Sequence, residues 1–220
     1  MNTSEANRRK ILFLARFSVL LIIEAIFCFY TPLGSIPIGP LVATLAMVPV
    51  VITAIMLGTK AGSLMGFIAG LFSFIVWTFM PPPSLLPLGF VFSPFYPFGN
   101  VSGNFYSLII CFVPRILVGT VTGLSLRLLI RIYPRKDKKA PVLYAVSGCL
   151  GSLTNTFLVL GGIYVFFGRD YASVMGIAHD MLLWAIGASI LTNGVPEAVI
   201  AGLAAYFVCR VLQRHYQTMK

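Results

Sequence analysis

Long apolar runs, separated by short polar or proline-rich breaks, dominate the chain. A helix needs about 20 mostly apolar residues to cross a hydrocarbon core of about 30 Å. Six runs approach or exceed this length, at residues 11–30, 40–57, 61–80, 105–130, 141–167 and 182–212. The pattern therefore predicts an all-α integral membrane protein, a six-transmembrane-helix bundle that forms one domain over residues 1–220.

Composition agrees with this prediction. The chain is 58% hydrophobic and 10% charged, which leaves too little polar surface to cover a water-soluble globule. Arg8, Arg9 and Lys10 precede the first run as they would precede a signal peptide, but the run is long, contains Glu24 and lacks a small-x-small cleavage site. We interpret it as a retained helix.

Charge indicates the orientation. If both termini are cytoplasmic, every Lys and Arg except Arg115 and Arg169 falls on the cytoplasmic side, as the positive-inside rule requires. The net charge of +10 then reflects topology and contact with anionic lipid, and no nucleic-acid partner is predicted. A multi-pass protein of the cell membrane is expected.

The longest external segment, "MPPPSLLPLGFVFSPFYPFGNVSGNFY", is rich in proline and aromatic residues. Proline excludes a regular helix there, and the segment is too apolar for a solvated linker. We expect residues 81–104 to form a lid-like loop over the outer mouth, with Asn104 among the candidate ligand contacts. A second apolar, proline-containing loop, "TPLGSIPIGP", is expected on the same side of the membrane. The alternative is that both loops rest in the headgroup region.

Three charged residues are the clear cases at membrane depth: Glu24, Arg115 and Glu197. Such residues usually face a cavity or a partner. A helix rises about 1.5 Å per residue. Counted from the external helix ends, Arg115 and Glu197 lie at a similar depth in the membrane. Asn155 lies close to that depth, and Glu24 lies nearer the surface. Arg115 and Glu197 could neutralise each other as a structural pair. Alternatively, Arg115 and Asn155 hold an anionic or carbonyl group of a ligand, oriented by Glu197.

Further candidates surround these three spans. Asn193 shares a helix face with Glu197, and Pro196 between them would kink the helix and free backbone groups. Thr154 is a weaker candidate, since its hydroxyl can be satisfied by its own helix. Trp77 and Tyr164 lie near the outer ends of their helices, where they anchor the protein in the interface or line the site.

Other chemistries find no support. The four cysteines, Cys28, Cys111, Cys149 and Cys209, fall in four different spans without CxxC spacing, so neither a disulfide framework nor a metal site is predicted. The chain contains no Walker motif, no H-E-x-x-H and no G-x-S-x-G. We predict no catalytic residues and no cofactor.

A strip of glycines occupies every fourth position of one run: Gly58, Gly62, Gly66 and Gly70. Small residues at this spacing let two transmembrane helices approach until their backbones touch. The strip either packs inside the bundle or offers a smooth surface on which a partner protein docks.

Several motifs together resemble the substrate-binding S components of energy-coupling factor (ECF) vitamin transporters. They are "TPLGSIPIGP" before "MVPVVITAIMLGTKAGSLMGFIAGLFS", then "PRILVG", "GSLTNTFLVLGGIYVFFG" and "NGVPEAVIAG". The resemblance implies capture of a water-soluble vitamin and delivery with a transmembrane coupling subunit and two cytoplasmic ATPases. It also implies a small-residue docking patch on the first helix, where this sequence has Ala15 followed four residues later by Val19. The glycine strip is a candidate substitute.

"SLTNT" and "NGVPEA" look most like the pantothenate-type S components. Pantothenate offers a carboxylate, an amide and hydroxyls to Arg115, Asn155 and Asn193. Folate, pyridoxine and hydroxymethylpyrimidine are the alternative substrates. A stand-alone secondary transporter and an intramembrane enzyme with Glu24 and Glu197 as acid and base are the alternative functions, although the two halves show no convincing inverted repeat.

Overall fold

A computed structural model of the chain describes residues 3–30, 35–38, 41–133 and 140–218. Its helices and strands follow in the order α1 (Thr3–Phe29), β1 (Ser35–Ile38), β2 (Leu41–Thr44), α2 (Val48–Leu57), α3 (Thr59–Phe79), α4 (Gly89–Phe92), β3 (Pro97–Phe98), β4 (Val101–Ser102), α5 (Phe105–Ile132), α6 (Ala140–Met175), α7 (Leu182–Ser189) and α8 (Val195–Thr218). Short 3₁₀ turns occupy Pro83–Leu88 and His179–Met181, and a π-helical turn occupies Ile190–Gly194.

Within this described part, five helical segments are long and apolar enough to cross a membrane: Asn7–Phe29, Thr59–Phe79, Phe105–Ile132, Ala140–Met175 and His179–Leu212. The prediction of an all-α membrane protein is confirmed. The basic loop 134–139 and Lys220, which contributed to the predicted orientation, lie outside the described residues, as does most of "TPLGSIPIGP".

The predicted span 40–57 needs correction. Only Val48–Leu57 is helical, while Leu41–Thr44 pairs with Ser35–Ile38 in an antiparallel hairpin. Pro49 lies in the first turn of α2, the part of a helix that tolerates a residue without a backbone N–H. The helix therefore begins there and is too short to cross the membrane alone.

The short helix α2 lies at the centre of the main core. Val50, Val51 and Thr53 are fully buried, and the core cluster joins α2 to residues of α3, α5, α6 and α8. Apolar residues occupy every face of α2, which is typical of a buried core helix rather than an amphipathic one.

The glycine strip packs inside the bundle. A Cβ atom at Gly62 would collide with Ala54, one at Gly66 with the carbonyl group of Arg115, and one at Gly70 with Phe112. The docking interpretation of Gly62, Gly66 and Gly70 is therefore corrected, because all three are buried in contacts with α2 and α5. These contacts bring the α3 backbone against the α5 backbone.

The remaining two docking candidates differ. Gly58 joins α2 to α3 with φ 94°, a conformation that side chains rarely tolerate, so its glycine is explained by the bend. Ala15 lies on the exposed face of α1, and its docking role stays a prediction.

The lid segment, residues 81–104, folds back onto the bundle. Phe90, Val91 and Phe92 are buried and form a second core cluster with Ile110, Ile163 and Phe167. Ser107 donates a hydrogen bond to the Phe90 carbonyl oxygen (2.7 Å). The segment is thus fixed over the ends of α5 and α6.

We expect Gly66→Ala to destabilise the protein, because its methyl group would displace the Arg115 carbonyl. Overpacking of this kind costs about 1–3 kcal/mol. The matched control is Gly161→Ala in α6, where a Cβ would meet no atom within 4 Å. Thermal unfolding in detergent should show a lower Tm for Gly66→Ala alone, and equal values for the two variants would contradict this packing.

Candidate functional site

Arg115 is the centre of a buried polar cluster in the N-terminal half of α5. Its side chain is only 7% exposed, and a buried guanidinium must be hydrogen-bonded to be tolerated. Nη1 donates to the carbonyl oxygen of Ile110 (2.7 Å), and Nη2 donates to Ser73 Oγ on α3 (3.3 Å). Nε has no partner among the described residues.

The sequence explains why the Ile110 carbonyl is available. Pro114 lies four residues further along α5 and has no N–H to complete the usual helical hydrogen bond to that oxygen. The neighbouring Arg115 side chain supplies the missing donor. The dipeptide Pro114-Arg115 thus creates a free acceptor and satisfies it with a charged group.

Aromatic side chains cover the guanidinium. The Phe92 ring of the lid segment lies 5.3 Å from the Arg115 guanidinium carbon, within the range of a cation–π interaction. Trp77 of α3 stacks on Phe92 with 4.7 Å between ring centroids. A hydrogen bond between Thr78 and Ser93 (2.8 Å) fixes the lid beside this stack. Trp77 thus stacks on the ring that lies over Arg115, and both of its expected roles, interface anchor and site lining, stay predictions.

Glu24 is a second ionisable residue buried inside the bundle. It is fully buried on α1, and its Oε1 accepts a hydrogen bond from the Cys28 thiol (3.3 Å). Its other oxygen has no partner within the described part of the chain. Helix α1 therefore contributes a buried carboxyl group to the interior of the bundle.

Asn155 lies level with Arg115 on the adjacent helix α6. A Cβ at Gly151 would meet Val118 and Thr122, and one at Gly162 would meet Ile110. The two helices therefore run antiparallel, and Asn155 and Arg115 fall between these contacts. The Oδ1 atom of Asn155 is buried and has no partner among the described residues.

The π-helical turn reaches the same level from the other side of α6. Gly194 packs so closely against Thr156 that a Cβ there would overlap its methyl group. Asn193 precedes Gly194, and Glu197 follows within the first turn of α8; both are half-buried. The polar breaks of α6 and of the sixth predicted span thus meet, as their depths suggested.

Three other candidates have different surroundings. Thr154 donates to the Leu150 carbonyl oxygen of its own helix (2.7 Å). Asn104 is exposed and caps α5, its Oδ1 accepting from the Tyr106 N–H (2.9 Å). Tyr164 is 42% exposed and its ring lies against His179. None of these contacts joins the Arg115 cluster, and their ligand roles stay predictions.

Sequence reasoning missed Ser73 and Phe92 and left Glu24 out of the site. The signal for Ser73 is its spacing: it follows the glycine strip at the position where α3 approaches α5. The contact between Glu24 and Cys28 could also have been predicted from the sequence, because residues four apart share one face of a helix.

Comparison with known proteins decides the family. Residues 12–209 match the family described as "ECF transporter, substrate-specific component". The chain belongs to this family. A curated relative, described as the pantothenic acid transporter PanT of Lactococcus lactis subsp. cremoris (strain MG1363), is 32% identical over 190 residues, which is 86% of this chain and 85% of the relative.

Membership has two direct consequences. This substrate-specific component is a multi-pass membrane protein, as its five long apolar helices require. The family is one of transporter components rather than of enzymes.

We expect Phe92→Ala to uncover Trp77 by removing its stacking partner, which contributes about 0.5–1.5 kcal/mol beyond area burial. The second tryptophan, Trp184, is 80% exposed and can be replaced by Phe so that only Trp77 emits. Acrylamide should then quench Trp77 more strongly in the Phe92→Ala variant. Phe95→Ala, in the same segment but 74% exposed, serves as the control and should leave the quenching unchanged.

Proposed function

We propose that this substrate-specific component captures pantothenate for an ECF importer. One observation carries the choice of vitamin: the 32% identity, over most of both chains, with a relative described as a pantothenic acid transporter. The buried arginine supports it, because a vitamin with a carboxylate gives Arg115 a natural partner.

The chemistry of the cluster suits this ligand. The guanidinium recognises carboxylates through its planar set of donors, and Nε of Arg115 is a buried donor without a described partner. Asn155 Oδ1 is a buried acceptor at the same level, suited to a ligand hydroxyl or amide N–H. Asn193 and Glu197 add polar groups from the π-helical turn and α8. Pyridoxine and hydroxymethylpyrimidine carry no carboxylate and would make less use of Arg115.

The aromatic cover suggests how the site excludes water. Phe92 of the lid segment lies over Arg115, and Trp77 stacks on Phe92. In the proposed binding cycle, the lid admits the vitamin and then returns to this closed arrangement, which strengthens the electrostatic contacts by lowering the local dielectric.

We further propose the predicted orientation, with six spans, both termini in the cytoplasm and the lid segment outside. The positive-inside distribution supports it. In this proposal α2 is the second span, and the hairpin of β1 and β2 completes the crossing.

The energy source belongs to partners. No Walker motif occurs in the sequence, and the family is that of a substrate-specific component. We therefore propose assembly with a transmembrane coupling subunit and two cytoplasmic ATPases, and no enzymatic activity of the chain itself.

We expect Arg115→Ala to weaken pantothenate binding at least tenfold, which is about 1.4 kcal/mol, because the carboxylate loses its cationic partner. Equilibrium dialysis with the purified protein measures the affinity, and size-exclusion chromatography checks that the variant is folded. The control is Arg169→Ala, which removes an exposed arginine and should bind normally. A folded Arg115→Ala variant with unchanged affinity would contradict the assignment.

Proteoliposomes that contain only this chain should accumulate no pantothenate, with ATP enclosed or with an ion gradient imposed. Co-reconstitution with an ECF coupling subunit and its ATPases should produce ATP-dependent uptake. Uptake driven by an ion gradient without those partners would instead identify a secondary transporter.

A further inference from the structure

The described hydrogen bonds of the Arg115 guanidinium use two of its three nitrogen atoms. Nη1 donates to the Ile110 carbonyl oxygen (2.7 Å), and Nη2 donates to Ser73 Oγ (3.3 Å). Nε is buried and has no partner in the described part of the chain. Because the guanidinium is planar and rigid, two anchored nitrogens restrain its rotation and also fix the direction in which Nε points.

The two acceptors differ in origin. The Ile110 carbonyl belongs to the backbone of α5, the helix that carries Arg115, so it holds the side chain against its own helix. Ser73 belongs to α3, and its hydroxyl holds the guanidinium from a neighbouring helix. Ser73 therefore ties the orientation of Arg115 to the packing of α3 against α5.

Other hydroxyl groups of α3 show what is particular about Ser73. Ser63 and Thr78 donate to carbonyl oxygens of their own helix, four residues earlier (3.0 and 2.7 Å), as hydroxyls in helices often do. Ser73 accepts a hydrogen bond from a charged group, and such bonds are stronger than those between neutral groups. Its hydroxyl thus stabilises the buried cation.

We propose that Ser73 is a positioning residue of the binding site: it holds Nη2 of Arg115 so that Nε is presented to the carboxylate of the substrate. The inference rests on the proposed function and assigns a part in it to α3. Nη2 carries a second hydrogen, so Ser73 can hold this nitrogen without using up its capacity to donate. Binding groups need such support, because a small displacement from the productive geometry weakens the contact.

The variant Ser73→Ala distinguishes this role from two others. If Ser73 positions Arg115, pantothenate affinity should fall about fivefold, the effect of losing one ordinary hydrogen bond. If Ser73 competes with the ligand for Nη2, affinity should rise. If Ser73 only joins α3 to α5, its removal should also weaken binding when Arg115 is absent.

Equilibrium dialysis of pantothenate against four proteins makes the test: wild type, Ser73→Ala, Arg115→Ala and the double variant. Because Ser73 acts through Arg115, the double variant should bind as weakly as Arg115→Ala alone, to within about twofold. Size-exclusion chromatography checks that each variant is folded.

Ser63→Ala is the matched control. Ser63 is half-buried like Ser73, and its hydroxyl also joins α3 to α5, through Thr120 (2.8 Å). It lies ten residues from Ser73, about 15 Å along the helix. This variant should bind pantothenate normally, and a loss equal to that of Ser73→Ala would reduce Ser73 to a packing contact and overturn the inference.

Unchanged or higher affinity in a folded Ser73→Ala variant also overturns the inference, as does an equal further loss in the Arg115→Ala background. If Ser73→Ala does not fold, Ser73→Thr and Ser73→Val replace it, since they have the same shape and only the first keeps a hydroxyl; equal affinities would then be the contrary result. Absence of pantothenate binding by the wild-type protein, or an undiminished affinity in Arg115→Ala, would instead refute the proposed function.

Discussion

The burial of one guanidinium organises this structure. Arg115 lies inside a bundle whose other interior surfaces are mostly apolar. The neighbouring elements must therefore provide the hydrogen-bond acceptors and the aromatic contact that stabilise its buried charge. Pro114 frees the Ile110 carbonyl, α3 brings Ser73, and the lid segment brings Phe92. The packing around the N-terminal half of α5 can be understood as the shell that this charge requires.

The glycine strip makes that shell possible. Because Gly66 has no side chain, the α3 backbone reaches the carbonyl group of Arg115 itself. Ser73 is then carried close enough to accept from the guanidinium. The same close packing that holds the two helices together therefore also sets the position of the guanidinium.

Sequence patterns predicted what depends on composition and on position along one helix. They predicted the membrane class, the five long helices, the burial of Arg115 and the similar depth of Asn155. They failed where tertiary contacts decide. The hairpin and the short α2 replaced a full span because Pro49 sets where the helix begins. The complete burial of Glu24 depends on how α1 packs, which no local pattern specifies.

The shortness of α2 has a consequence for the lipid around the protein. Ten residues rise only about 15 Å, roughly half of a hydrocarbon core. Strand backbone cannot face acyl chains unless its polar groups are satisfied by other protein or by water. The backbone of the β1–β2 hairpin must therefore be shielded from the bilayer by other parts of the protein or be hydrated. Hydration would place water at a depth where an uninterrupted helix would have presented only hydrocarbon.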